Sequence, residues 1–430
     1  MLKSLYVHEI RGGMLLDSRG DPTVRASVTL DDGEFLVAGE ASAPSGASTG
    51  KYEAHELRDN APAYGKKGVT QALASVREIA EAFVGSAYTS QAAWDKALLS
   101  LDGSENKSRL GANAILPVSL AAARAAAESS ELPLYRFLGG ECVGTLPVPM
   151  LNVINGGAHA KNNVDIQEFM LLPVGAPSFS EALRWSSEVY HTLKGILETQ
   201  GYSTGVGDEG GFAPNLKRDE DALKLLVSAI ESAGFSPGYD FLLAIDAAVS
   251  DWYDHGESAY FLPKAKKRMT REQMVRWWKT LAEKYPLISI EDGMGEDDHD
   301  GWTLLKRSLG SSLLLVGDDY FVTNPERIEK YAENATALLV KPNQIGTLTE
   351  TLEAIRTGRE KGLRPVISHR SGETSDSFIA DLAVAVSAPL IKAGAPVRGE
   401  RTAKYNRLLE IEKELGDTAR YSGKSAVKIL

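Results

Sequence analysis

Residues 338–346 read LLVKPNQIG, an apolar run that ends on Lys341 and a helix-breaking proline. A short apolar run bounded by turn residues reads as a buried strand, and an ammonium at its end is costly to desolvate without a partner. Similar runs lie on either side: LLAID (242–246), LISIED (287–292), LLLVGDD (313–319), PVISHRS (365–371) and PLIKAGAP (389–396). Between them lie amphipathic stretches whose helices start near 271, 300, 325, 347, 376 and 402. Strand–helix alternation with near-continuous apolar strands predicts a parallel sheet covered on both faces. Asp318, Lys341, His369 and Lys392 follow one another at βα-unit spacing. An open doubly wound sheet would share that spacing. The runs, however, end on ionisable residues: Asp246, Glu291, Asp318, Lys341, His369 and Lys392. A barrel gathers the carboxyl ends of all its strands on one catalytic face, so such a series favours the barrel.

Residues 1–140 have a different character. TVRASVTLDDGEFLVAGEA (23–41) is two alternating runs around Asp-Asp-Gly, a hairpin signal. Alanine-rich helical stretches follow at about 67–85, 90–101 and 109–129. The predicted organisation is a smaller N-terminal α+β capping domain, 1–140, and a catalytic (β/α) barrel, 141–430, joined through the glycine- and proline-rich segment 138–150.

The 430 residues carry a net charge of −11 and are 43% apolar, enough for a large core. The acidic balance argues against a nucleic-acid protein. A single cysteine, Cys142, excludes an internal disulfide framework and a multi-cysteine zinc site. The N-terminal stretch lacks a signal-peptide core, and the most apolar segment, 112–127, is interrupted by Pro117 and Arg124. The expectation is a cytoplasmic protein with no membrane or nucleic-acid partner.

Two phosphate-binding motifs fail on inspection. GVGDEG (205–210) fits G-x-G-x-x-G, but GFAPN follows where a helix should open, and Asp208 and Glu209 would repel a pyrophosphate. GASTGKY (46–52) is one residue short for a P-loop and has Tyr52 in the metal-holding position. Its small residues suggest a mobile loop instead.

The chemistry converges elsewhere. Asp246, Glu291 and Asp318 at one barrel mouth would repel one another unless a cation sat between them, and an oxygen-only set suits Mg²⁺. Any one of them alone reads equally well as a helix cap. Lys341, close to a metal and under an apolar ceiling, should have a lowered pKa and serve as a general base; its bland reading is a structural partner of a carboxylate. Lys392 would remain cationic and stabilise a developing anion. His369, Arg370 and Ser371 in SHRSGET (368–374) suit an anion clamp. Gln167 and Glu168 in DIQEFM, Glu209 in its glycine-rich loop and His159 in NGGAHAKNN complete the candidates, with Glu209 as an acid able to approach a ligand closely. His8, His55, His191, His255 and His299 read as surface or packing residues. This is equipment for removing a proton α to a carboxylate, whose enolate needs cationic charge on its oxygens.

The chain closely resembles the enolase family almost end to end. The resemblance is carried by LDSRGDPTV (16–24), APSGASTGKYEAHELRD (43–59), LDGSENKSRLGANAIL (101–116), NVINGGAHAKNNVDIQEFM (152–170), VGDEGGFAPN (206–215), SIED (289–292), VGDD (316–319), VKPNQIGTLTET (340–351), SHRSGETSDSFIADLAVA (368–385) and IKAGAP (391–396). It implies an enolase-type (β/α)8 barrel and reversible Mg²⁺-dependent dehydration of 2-phosphoglycerate to phosphoenolpyruvate in glycolysis and gluconeogenesis. It implies Lys341 as the base at C2, Glu209 with Glu168 as the acid for the C3 hydroxyl, and Asp246, Glu291 and Asp318 as ligands of the first Mg²⁺. Ser48 would ligate a second Mg²⁺ that arrives with substrate. Glu291 and Asp318 would also face the substrate. Arg370 and Ser371 would hold its phosphate and Lys392 its carboxylate, with His159, Gln167, Glu168 and His369 around it. A homo-oligomer, dimer or octamer, is also implied, and a cell-surface or secreted fraction alongside the cytoplasmic one. The alternatives are an enolase paralogue with a different acid substrate and a non-catalytic binding role.

The sequence departs from the family pattern at Gly12, Gly13 and Asp21, at Gly293 where proline is common, at Gly399 where serine is usual, and at Pro117, which is expected to interrupt a helix. None of these removes a catalytic group.

Overall fold

The computed structural model describes residues 5–47 and 50–428. Strands β1 (Leu5–Leu16), β2 (Pro22–Asp31) and β3 (Leu36–Ser42) form an antiparallel meander. The short β4 (Ala87–Tyr88) pairs with the free edge of β1. The period-2 pattern of β2 turns Val24, Ala26, Val28 and Leu30 to the core. Helices α1 (Thr70–Phe83), α2 (Gln91–Asp102) and α3 (Ala112–Ser129) cover that face. The backbone of α3 lies directly on β3: a Cβ on Gly39 would stand 2.1 Å from the Ala121 carbonyl oxygen. Pro117 does not interrupt α3, contrary to the sequence expectation. The helix is buried almost all round, and its packing outweighs the hydrogen bond that proline removes.

The second unit is a closed barrel of eight strands: β5 (Val148–Asn155), β6 (Glu168–Leu172), β7 (Leu242–Asp246), β8 (Leu287–Glu291), β9 (Leu314–Gly317), β10 (Ala337–Val340), β11 (Arg364–Ser368) and β12 (Leu390–Lys392). The strands neighbour one another in chain order, and β12 closes the ring on β5. The predicted barrel is therefore present, but not all its strands are parallel: β6 runs antiparallel to both β5 and β7. A reversed strand brings its first residue, not its last, to the catalytic face. Glu168, the first residue of β6, thus pairs in register with Asn155 on one side and Asp246 on the other, and Asp246 pairs with Glu291.

The helices after β7–β12 start at Arg271, His299, Pro325, Leu348, Phe378 and Gly399, close to the expected positions. The N-terminal unit is fastened across the barrel mouth. Ser45 and Gly372 exchange backbone hydrogen bonds of 2.8 and 2.9 Å. Arg124 of α3 pairs with Asp376 at 2.7 and 3.0 Å, and Asp95 of α2 accepts from the Thr349 N–H at 2.8 Å. Among the described residues no helix is long and apolar enough to cross a membrane.

Candidate active site

One polar cavity sits at the carboxyl end of the barrel, under the segment around Gly46, Ala47 and Glu53. Lys341, Glu209, Glu168, His159, Gln167, Asp246, Asp318, His369, Arg370, Ser371 and Lys392 all line it. Glu291 lies just beneath, fully buried against Lys392. Ser48 lies outside the described residues.

Lys392 is the hub of one wall. Its Nζ stands 2.8 Å from Glu291, 3.0 Å from Asp246 and 3.2 Å from Glu168. Burial alone would drive its proton off, but Asp246, Glu168 and Glu291 outweigh burial and hold its pKa well above the ordinary lysine value. Lys392 is a fixed cation, as the sequence suggests. Lys341 faces it from β10, with its Nζ against Asp318 Oδ2. Burial lowers its pKa, but Asp318 more than compensates and the net shift is upward. The expected fall in the pKa of Lys341 is therefore not seen with Asp318 as its partner. A free carboxylate favours the ammonium, whereas the expectation assumed metal charge in its place.

Asp318 also accepts from Gln344 Nε2 at 2.8 Å, and Lys341 with Arg370 holds its carboxyl below the ordinary range despite burial. Two more carboxylates, Asp292 and Asp319, crowd beside it, with oxygens within 4.8 Å of one another. Burial and mutual repulsion push both well above the usual carboxylate range. The Asp292 carboxylate also accepts the backbone N–H groups of Asp318 and Asp319 at 2.9 and 2.8 Å, which locks the end of β9. Glu291 likewise rises with burial and the nearby Asp246, and its Oε2 has no hydrogen-bond partner. This surplus of buried carboxylate oxygen, one of them orphaned, fits a hard divalent cation. Of the three strand-end carboxylates read from the sequence, Asp246 and Glu291 share Lys392 while Asp318 belongs to the Asp292–Asp319 group.

Opposite Lys341, Glu168, Glu209 and His159 stand within 4.8 Å of one another. Burial and the adjacent Glu209 raise the pKa of Glu168. Glu209 goes the other way: despite burial, His369 and His159 and the 3.0 Å donation from Asn152 Nδ2 hold it as a carboxylate. Burial lowers the pKa of both imidazoles, His369 down to about 4. The two carboxyls are thus driven in opposite directions, Glu168 towards the protonated and Glu209 towards the ionised form. The glycines of this loop let its backbone pack closely on neighbouring protein atoms. A Cβ on Gly207 would fall 2.7 Å from the His159 carbonyl oxygen, and one on Gly211 2.6 Å from Asn155 Oδ1. The loop continues into a β-bridge between Val206 and Phe212 rather than a helix. Lys264 Nζ secures the His159 loop by donating to the Gly157 carbonyl at 2.9 Å.

On the rim, Arg370 makes a two-pronged pair with Glu53 at 2.9 and 3.2 Å, and Ser371 Oγ accepts from the Ala47 N–H at 2.7 Å. Burial works against its charge, but Glu53 raises the guanidinium's pKa further. Sequence reasoning gave no role to Glu53, Asp292, Asp319, Asn152 or Arg401. The doublets Glu291-Asp292 and Asp318-Asp319 were visible in the sequence, whereas nothing local marked Glu53 or Arg401.

The fold and this cavity define a barrel enzyme whose catalytic face is covered by an N-terminal capping unit. Residues 143–430 match the family model of the enolase C-terminal TIM barrel domain, and residues 7–138 match that of the enolase N-terminal domain. The chain belongs to the enolase family, and with membership goes a dehydratase-type lyase chemistry that uses a divalent metal ion.

Proposed function

We propose that the protein catalyses the reversible Mg²⁺-dependent dehydration of 2-phosphoglycerate to phosphoenolpyruvate, as a cytoplasmic homo-oligomeric enzyme of glycolysis and gluconeogenesis. One observation carries the reading: the candidate base and the candidate acids stand on opposite walls of one cavity. Lys341 follows β10 and Glu168 begins β6, four strands apart in a ring of eight. A proton and a hydroxyl leaving adjacent carbons would depart from opposite faces of the substrate.

In this reading Lys341 takes the C2 proton, and the C–H electron pair passes into the enolate of the substrate carboxylate. Lys392 binds that carboxylate. Asp246, Glu291 and Asp318 would hold a Mg²⁺ ion and Ser48 would contribute to a second, and the metal charge would offset the negative charge that develops on the substrate carboxylate. The Glu168–Glu209 pair delivers a proton to the C3 hydroxyl. The C3–O bond breaks, the C2–C3 double bond forms and water leaves. Arg370 and Ser371 hold the phosphate, which replaces Glu53 on the guanidinium fork. His159, Gln167 and His369 close the cavity around the substrate.

The test is product absorbance on adding 2-phosphoglycerate and Mg²⁺ to the purified protein, with and without chelator. Chelator-sensitive formation of the enol phosphate supports the reading; turnover of unphosphorylated acids alone contradicts it.

A further inference from the structure

Arg401 lies on the helix Gly399–Leu415, outside the cavity lining, and is fully buried. Its guanidinium reaches under the barrel mouth. Nη1 donates to the Arg370 carbonyl at 2.6 Å and lies 2.6 Å from His369 Nδ1. Nη2 donates to the carbonyls of Ser371 at 2.6 Å and Asp208 at 3.0 Å. A single side chain thus ties the segment carrying the phosphate clamp to the loop carrying Glu209. Gly394, with φ +84°, leaves room for it: a Cβ there would stand 2.8 Å from Arg401 Cδ.

The contact with His369 has a chemical consequence. A guanidinium carries donors only and no lone pair to accept. At 2.6 Å, His369 Nδ1 must be the acceptor, because an Nδ1–H would set two donors against each other. The proton of the neutral ring is then on Nε2. Nε2 has no hydrogen-bond partner of ordinary length and faces Glu209 Oε2 at 3.4 Å. We infer that Arg401 is a positioning residue that fixes His369 in its Nε2–H tautomer and aims that N–H at Glu209, so that the imidazole can stabilise Glu209 as an anion but cannot take its proton. The catalytic consequence rests on the proposed acid role of the Glu168–Glu209 pair; the tautomer itself does not.

The experiment separates the two. ¹⁵N spectra of histidine-labelled, substrate-free protein are recorded between pH 5.5 and 8, with the His369 signals assigned by their loss in His369→Gln. The expected result is a protonated Nε2 and an unprotonated Nδ1 throughout. An Nδ1–H tautomer or an imidazolium in the wild-type protein overturns the inference, whatever the activity. Arg401→Met should release the ring into a tautomer mixture and lower kcat about 10–100-fold with KM changed less. Arg401→Lys, which keeps one donor, should retain the Nε2–H tautomer and recover part of kcat. An unchanged tautomer in folded Arg401→Met also overturns the inference. If that variant does not fold, the wild-type spectrum alone decides. A correct tautomer in a protein that fails to dehydrate 2-phosphoglycerate would upset the functional reading and leave this one standing.

Discussion

Lys341 and Asp318 form an ion pair across adjacent barrel strands, with Nζ against Oδ2 at the mouth of the cavity. The pair explains how an ammonium is tolerated at the end of a buried strand. It also sets a sign: the pKa of Lys341 is raised above its unfolded value of 10.5, so the pair's stabilisation is complete through neutral pH. The lysine side of the pair is lost as pH rises through the folded-state value of Lys341, and the carboxylate side as pH falls through the depressed value of Asp318. Asp318→Asn should therefore lower the pKa of Lys341 in the metal-free protein. The pH dependence of amine labelling at Lys341 checks this, and an unchanged profile would show that Asp318 does not hold the proton there.

Lys341→Ala should lower kcat by about 10³-fold, within the usual range for loss of a general base, and leave the fold intact by circular dichroism. Near-normal turnover would remove Lys341 from the reaction.

Arg370 is paired with Glu53, and the proposed clamp has the substrate phosphate take that place. Arg370→Ala should cost about 1.5–3 kcal/mol of binding, the range for a hydrogen bond to a charged group, seen as a raised KM for 2-phosphoglycerate. Arg370→Lys should recover only part of it, because a point charge does not reproduce the fork. Equal affinity for glycerate and 2-phosphoglycerate in the wild-type protein would exclude the clamp role.

Much of the barrel was legible because its repeat is written twice, once in apolar runs and once in the ionisable residues that end them. The direction of β6 was not legible. Five buried apolar-rich residues, EFMLL, look the same in either direction, and only pairing with β5 and β7 reverses them. Glu168 was found through its motif rather than through any strand-end rule. The metal-free ionisation of Lys341 was not legible for a related reason: a pKa depends on which charge stands nearest, and Asp318 is 23 positions away in the chain. Arg401 and Glu53 act through single long-range contacts that leave no periodic trace. Gly293 has a local explanation only in the structure: a Cβ there would stand 2.9 Å from Ile290 Cγ2, and its carbonyl accepts from Trp278 Nε1 at 2.9 Å.

The N-terminal unit is fastened by a pair that depends on pH. Arg124 holds the half-buried Asp376 below its ordinary carboxyl value of 3.8, even though desolvation pushes the other way. A depressed carboxyl stabilises the fold fully above its unfolded pKa and loses that contribution as pH falls through the folded value. Denaturant midpoints should therefore drop below about pH 4. Asp376→Asn should cost about 1.5–3 kcal/mol at pH 7, the range for a hydrogen bond to a charged group, and flatten part of that acid limb. An unaltered midpoint in the variant would mean the pair does not fasten the two units.

Crowded carboxylates should make the protein metal-responsive without substrate. Saturation with Mg²⁺ at about 100 times Kd should stabilise the fold by about 2.7 kcal/mol, read as a rise in melting temperature that chelator reverses. Glu291→Gln should abolish the shift, and its persistence there would place the ion elsewhere.

The division of labour between Lys341 and the Glu168–Glu209 pair is tested most directly by exchange of the C2 hydrogen of 2-phosphoglycerate with deuterated solvent, followed by NMR in the presence of Mg²⁺. Glu209→Gln should retain exchange at C2 while losing dehydration, because the proton can still be removed when the hydroxyl cannot leave. Lys341→Ala should lose both. Exchange that survives in Lys341→Ala, or disappears in Glu209→Gln, would contradict the assignment of base and acid to opposite walls of the barrel.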